Sequence, residues 1–168
     1  VRFAMVNYMA EEVDIDMNIF ALSTDGTRTP LKSASGTCGP DAATDMTEID
    51  LSQLAEGTLL SWNFIASNGM TGEGHHVPET YKALELQPSG LEQHVKALSD
   101  GQFEIEISAR GLALFVMIEA DIPGRYSDNL FDLAAGETRR IVFSARDKDF
   151  PSHPTFKIFD LFSSQSQG

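Results

Sequence analysis

The sequence predicts an all-β chain built as two small antiparallel β-sandwiches. About a dozen short runs enriched in β-branched and aromatic residues recur roughly every 8 to 12 residues, the spacing of sandwich strands. Several of these runs alternate apolar and polar side chains, the period-two pattern of a strand with one wet face. Helical periodicity is confined to segments too short to define a fold.

Residues 2–9 open the chain as a strand candidate. In the next run Val13, Ile15, Met17 and Ile19 alternate with Asp14, Asp16 and Asn18, which sends one set to a core and the other to water. Ser23-Thr24-Asp25-Gly26-Thr27 is a turn cluster, because Asp-Gly between apolar runs supports a tight reversal. Residues 34–45 are small and polar, with Gly36, Gly39 and Pro40, and read as a mobile loop. Strands resume over residues 47–51 and 58–66, with one helical turn compatible with residues 52–56.

Ser67-Asn68-Gly69 and Thr71-Gly72-Glu73-Gly74 interrupt the chain before residues 81–86, and Gln87-Pro88-Ser89-Gly90 breaks it again. A domain boundary is expected there, giving domains 1–86 and 87–168. The acidity is uneven: residues 1–86 carry 4 basic and 13 acidic groups, residues 87–168 carry 8 and 12.

The second half opens with residues 91–98, which could form two helical turns with Leu91, Val95 and Leu98 on one side. Phe103, Ile105 and Ile107 then alternate with polar neighbours, a strand with one wet face. Residues 112–118 are apolar at every position, which predicts a strand covered on both faces. Residues 139–145 and 155–162 supply further strands, and Pro151 and Pro154 bracket a loop where no ladder amide can be donated.

Length and charge exclude several functions. A chain of 168 residues suits one ordinary domain or two small ones. With Lys+Arg 12 against Asp+Glu 25, it lacks the concentrated cations that nucleic acids and anionic membranes require. No run approaches the roughly 18 apolar residues of a membrane helix. The single cysteine, Cys38, excludes an intramolecular disulfide and leaves cytoplasmic and periplasmic settings equally open. No basic n-region precedes an apolar segment at the start, and a chain entering strand-like sequence almost at once reads as an excised piece of something longer.

Candidate chemistry is sparse. His75 and His76 are adjacent, but neighbouring residues on a strand face opposite ways and no Cys or carboxylate stands at ligand spacing, so a polar pre-strand turn is preferred over a metal site. Asp14 with Asp16, or Asp147 with Asp149, could hold calcium, yet neither pair sits in a twelve-residue loop closed by a Glu, and solvated outer-face carboxylates are the plainer reading. Cys38 has no His or Lys beside it to favour the thiolate. Trp62 alternates with Leu60 and Phe64 and is read as core filler, with a sugar-stacking platform as the alternative. Asp128 and Asn129 suit an Asx-type turn, whose short side chains bond nearby backbone amides. No phosphate-cradling glycine loop or cofactor fingerprint is present, and no cofactor is expected.

The apolar run 112–118, then Gly124-Arg125-Tyr126-Ser127-Asp128-Asn129-Leu130-Phe131-Asp132-Leu133, then Ala135-Gly136-Glu137 stepping into a strand, resembles the last immunoglobulin-like domain of β-mannosidases in glycoside hydrolase family 2. Residues 155–161 resemble that family's closing strand, and the first half, through His75-His76 and residues 81–86, resembles the preceding immunoglobulin or carbohydrate-module-like domain. The resemblance implies two immunoglobulin-like sandwiches from the C-terminal part of an enzyme that hydrolyses terminal β-D-mannose residues. Related exo-glucosaminidases share the same domain logic. Ser127, Asp128, Asn129 and Phe131 are carried over only as positions of the family's loop signature, structural or interdomain in role.

The family places both catalytic glutamates on a (β/α)₈ barrel, the acid/base in an Asn-Glu pair. No Asn-Glu dipeptide occurs here, so the resemblance implies a non-catalytic region that buttresses the barrel of the same parent chain, its partner, while the parent binds the β-mannoside. A free-standing carbohydrate-binding or adhesion module is the alternative, and a calcium-dependent cell-surface repeat is a weaker one.

Overall fold

The computed structural model describes residues 1–98, 101–146 and 154–165, so Asp147, Asp149, Pro151 and His153 lie outside the described residues. The chain is all-β and divides into two compact units: Val1–Ser23 with Arg28–Glu85, and Thr24–Thr27 with Leu86–Gly168.

The first unit contains β1 (Arg2–Asn7), β2 (Val13–Leu22), β3 (Arg28–Cys38), β4 (Ala42–Glu48), β5 (Leu59–Ala66) and β6 (Thr71–His76). They form two antiparallel sheets, β1-β4 and β3-β2-β5-β6. β2 follows its sequence pattern: Val13, Met17 and Ile19 are buried, while Asp14, Asp16 and Asn18 face water. Phe3, Met17, Ile19 and Leu60 form the core, drawn from both sheets. Burying Ile19 completely stabilises the unit by about 1.5–3 kcal/mol. Pro30 stands in β3, which tolerates it because β3 is an edge strand and its register shifts opposite Ile19/Phe20.

Residues 34–45 are not a loop: β3 continues to Cys38 and β4 begins at Ala42. Polarity here serves a wet sheet face. Thr37 Oγ1 donates to Asp14 at 2.5 Å, Ser35 Oγ to Asp16 at 2.6 Å, and Ser33 Oγ to Asn18 at 2.8 Å. Each hydroxyl lies opposite its partner in the β2–β3 register, so the partners are distant in sequence. The strand expected over residues 47–51 ends at Glu48 and gives way to a 3₁₀ turn, Leu51–Gln53, where Asp50 accepts from the Ser52 amide at 3.0 Å.

The second unit contains β7 (Glu92–Ala97), β8 (Gln102–Ser108), β9 (Ala113–Ala120), β10 (Gly124–Tyr126), β11 (Phe131–Leu133), β12 (Thr138–Ala145), β13 (Phe156–Phe159) and α1 (Leu161–Gln165). Its sheets are β10-β12-β8-β7 and β11-β9-β13. Ile105 and Ile107 from one sheet and Val116 and Phe131 from the other meet in its core. Phe143 is central: its ring lies 5.2 Å from that of Phe156 and 4.9 Å from that of Tyr126. Gly124 makes this possible, since a Cβ there would stand 2.1 Å from Cζ of Phe143.

Three expectations for this unit are corrected. The segment 91–98 carries strand β7 over Glu92–Ala97, which bonds to β8, because an isolated segment this short is marginal as a helix and the open edge of β8 offers a full ladder. Residues 112–118 are covered on both faces only at first: Leu112, Ala113 and Leu114 are buried, but Met117 is 37% exposed. The closing strand stops at Phe159, because Asp160 turns the chain into α1 by accepting from the Ser163 amide at 2.8 Å. Asp160 is itself buried and accepts from Ser89 Oγ at 2.5 Å.

Candidate functional site

The loop between β10 and β11 holds Ser127, Asp128 and Asn129 of the sequence signature, Phe131 opens β11, and each has an assignable partner. Ser127 extends the β10–β12 ladder: its amide donates to the Val142 carbonyl at 2.8 Å, and its Oγ accepts from the Val142 amide at 2.9 Å. Asp128 pairs with Arg139 of β12 at 2.9 Å. The Arg139 guanidinium lies 4.6 Å from the centre of the Phe131 ring, which is itself buried.

Asn129 turns to the other sheet. Its Oδ1 accepts from the Ile118 amide at 2.9 Å, and its Nδ2 donates to the Ile118 carbonyl at 3.1 Å. A primary amide presents one acceptor and one donor side by side, as a peptide unit does, so the side chain stands in for one residue of strand beside β9. Oδ1 also accepts from the Leu130 amide at 3.1 Å. The loop is thereby stitched to β12 by Ser127 and Asp128 and to β9 by Asn129.

Sequence reading missed Asp132 and Arg139. Asp132 Oδ1 accepts from the Phe115 amide at 2.9 Å, where Phe115 takes a φ of 54° within β9. Leu130, also left-handed at 71°, is 60% exposed. Non-glycine residues seldom adopt this region, and no local sequence signal marks Phe115 for it. Arg139 was visible only as one cation at the start of a strand. In the Ala135-Gly136-Glu137 step, the Glu137 carboxylate accepts from the Ala134 amide at 2.8 Å, which closes the turn into β12.

The arrangement fixes a loop; its polar atoms are directed at the protein's own backbone and at Arg139. The other candidates among the described residues lie in the first unit. His75 and His76 are in β6 itself, and not in a turn before it; His75 Nε2 is 2.8 Å from the Tyr81 hydroxyl. Cys38 is fully buried, its thiol 3.2 Å from the Ala42 carbonyl. Asp14 and Asp16 share an exposed face and are bonded to Thr37 and Ser35. Trp62 packs on the core edge-to-face with Phe3 at 5.1 Å, and lies across Gly74 of β6, where a Cβ would stand 2.7 Å from the indole. Among the described residues, no group of three or more His, Cys, Asp or Glu is placed to hold a metal ion.

Comparison with known proteins locates the fold. A β-D-mannosidase from Dictyoglomus thermophilum superposes with a TM-score of 0.72 at 16% identity, covering 95% of this chain and 20% of that one. An exo-chitosanase from Amycolatopsis orientalis superposes with a TM-score of 0.66 at 15% identity, covering 95% of this chain and 24% of that one. The chain thus spans about a fifth to a quarter of the length of these enzymes, and at such identities the likeness is one of fold. No curated protein matches the chain in sequence. The Ig_mannosidase family model, an Ig-fold domain, matches residues 86–163, a stretch that includes the whole stitched loop. Over residues 86–163 the chain is thus similar to an Ig-fold domain, in keeping with the antiparallel sheets β10-β12-β8-β7 and β11-β9-β13 of the second unit.

Proposed function

We propose that the chain is a non-catalytic C-terminal accessory region of a retaining β-mannosidase of glycoside hydrolase family 2, made of two tandem domains, 1–86 and 87–168. On this reading the parent enzyme hydrolyses terminal β-D-mannose residues, and this region buttresses its catalytic barrel. The family match over residues 86–163 carries the proposal, because it falls on the segment whose loop signature and packing are most specific. The fold likeness to a β-D-mannosidase over 95% of the chain supports extending it to the first unit. The absence of an Asn-Glu dipeptide supports a region that leaves the chemistry to another part of the parent. A signature whose polar atoms bind its own sheets fits a rigid support better than a sugar-contacting loop.

Incubating the purified 168-residue chain with an aryl β-mannoside tests the non-catalytic part. No hydrolysis is expected; turnover removed by substituting one of the chain's own glutamates overturns the reading. The parent enzyme, assayed with and without residues 87–168, tests the buttressing: loss of thermal tolerance of the mannosidase activity is expected on truncation. The likeness to an exo-chitosanase keeps a second substrate in view, so an aryl β-glucosaminide belongs in the same assay.

A further inference from the structure

Four of the chain's six methionines line one groove in the first unit: Met5, Met9, Met17 and Met70. The groove has a volume of about 340 Å³, and Ile15 and Phe64 complete its apolar lining. It opens along β1. Residues 4–9 line it consecutively, so the backbone edge of the strand faces it as well as one row of side chains. β1 is bonded to β4 along its other edge, and among the described residues no strand pairs with the edge that borders the groove.

Such an edge presents unpaired amides and carbonyls beside exposed apolar side chains: Tyr8 is 84% exposed, Met70 57%, Val6 52% and Met9 52%. An apolar edge left in this state is a template for strand addition, and natural proteins ordinarily blunt one with lysine, proline or a covering element. Here the charge has the opposite sign. Glu11 and Glu12, both exposed, lie between the groove-lining Met9 and Val13, and Asn7 Nδ2 donates to the Glu11 carbonyl at 2.8 Å, which holds this acidic corner against the end of β1. They belong to a segment, residues 1–86, with 13 acidic and 4 basic groups.

We propose that this groove binds an extended peptide segment, added as a strand to the free edge of β1, with alternating apolar side chains and a basic residue at the end that reaches Glu11 and Glu12. Main-chain bonds to β1 supply the binding, and the groove selects alternate side chains. Methionine thioethers are unbranched and polarizable, so the lining tolerates several apolar shapes. The acidic corner favours cationic segments and orients them. The inference rests on the first unit alone and is independent of the mannosidase reading.

The test is fluorescence anisotropy with the 168-residue chain and a labelled peptide that alternates valine and threonine between terminal lysines. Saturable binding is expected, weakened about tenfold or more when glutamates replace the lysines, and abolished by a central proline. Met70→Lys, at an exposed position, should weaken binding about tenfold or more, with unchanged Trp62 emission showing that the unit still folds. Amide exchange should slow at Ala4 and Val6 in the complex. The proposal is overturned if the peptide does not bind, if Met70→Lys binds as the parent chain does, or if protection falls away from β1. A self-associated chain that the peptide does not dissociate would name a second copy as the occupant and overturn it equally.

Discussion

Removing the Asn129 amide tests the strand-surrogate role directly. Asn129→Ala deletes three bonds, of 2.9 and 3.1 Å to the Ile118 amide and carbonyl and 3.1 Å from the Leu130 amide. A backbone group left unpaired in the interior costs about 1–3 kcal/mol, and two such groups at a half-buried site, where water can enter, set an expected loss of about 2–3 kcal/mol. For a domain of this size that lowers Tm by about 8–24 °C. Calorimetry reads the shift, and amide exchange at Ile118 should accelerate. Asn129→Asp separates geometry from bulk. Its carboxylate would face the Ile118 carbonyl with two acceptors opposed, whereas the protonated acid can donate. Folding then raises that carboxyl above its ordinary value of about 3.9. The stability of the aspartate variant should be nearest to that of the parent chain below about pH 4 and should be lost as pH rises through the raised folded value. An Asn129→Ala loss under about 0.5 kcal/mol, or an aspartate variant whose deficit does not change with pH, refutes the reasoning.

Three further outcomes are expected. Gly124→Ala places a Cβ 2.1 Å from the Phe143 ring and should cost about 1–3 kcal/mol by urea denaturation, with much of the loss recovered when Phe143→Leu is added. Asp160→Ala leaves the buried Ser89 hydroxyl and the Ser163 amide without their acceptor, for an expected loss of about 1–3 kcal/mol in the same experiment. Burial pushes the Tyr126 phenol above its ordinary value, so it should titrate late in ultraviolet absorbance, an assignment checked with Tyr126→Phe. Because the raised value favours the neutral form in the fold, its contribution is complete below about pH 10 and falls as pH rises through the folded value.

Where structure depends on alternation, the sequence was readable. β2 and β8 show their two faces residue by residue, and the Ser127–Leu133 region carries enough specific residues to resemble a family from sequence alone. Its contacts were less legible. Asp132 matters because Phe115 adopts a left-handed conformation, and that conformation coincides with the break in the β9–β11 register between Ala113 and Val116. The misreadings share a cause. Ser33, Ser35 and Thr37 resemble loop residues until Asn18, Asp16 and Asp14 are placed opposite them. The residues of β7 resemble two helical turns until β8 offers them an edge. In both cases the deciding partner lies in another strand, so no local window contains it. The methionine groove is likewise assembled from three separate stretches of sequence, residues 4–9, 13–17 and 64–70.

The position of Trp62 has a spectroscopic consequence. It is the chain's one tryptophan, and it sits in the first unit against Phe3 and Gly74. Indole emission therefore reports on the unit outside the family match, while the stitched loop and the Phe143 cluster contain no indole. The phenol of Tyr126, packed on Phe143, supplies the complementary signal. In a Tyr8→Phe, Tyr81→Phe variant, which removes the two phenols of the first unit and leaves Tyr126, a melt followed at both chromophores assigns each transition to its own sandwich.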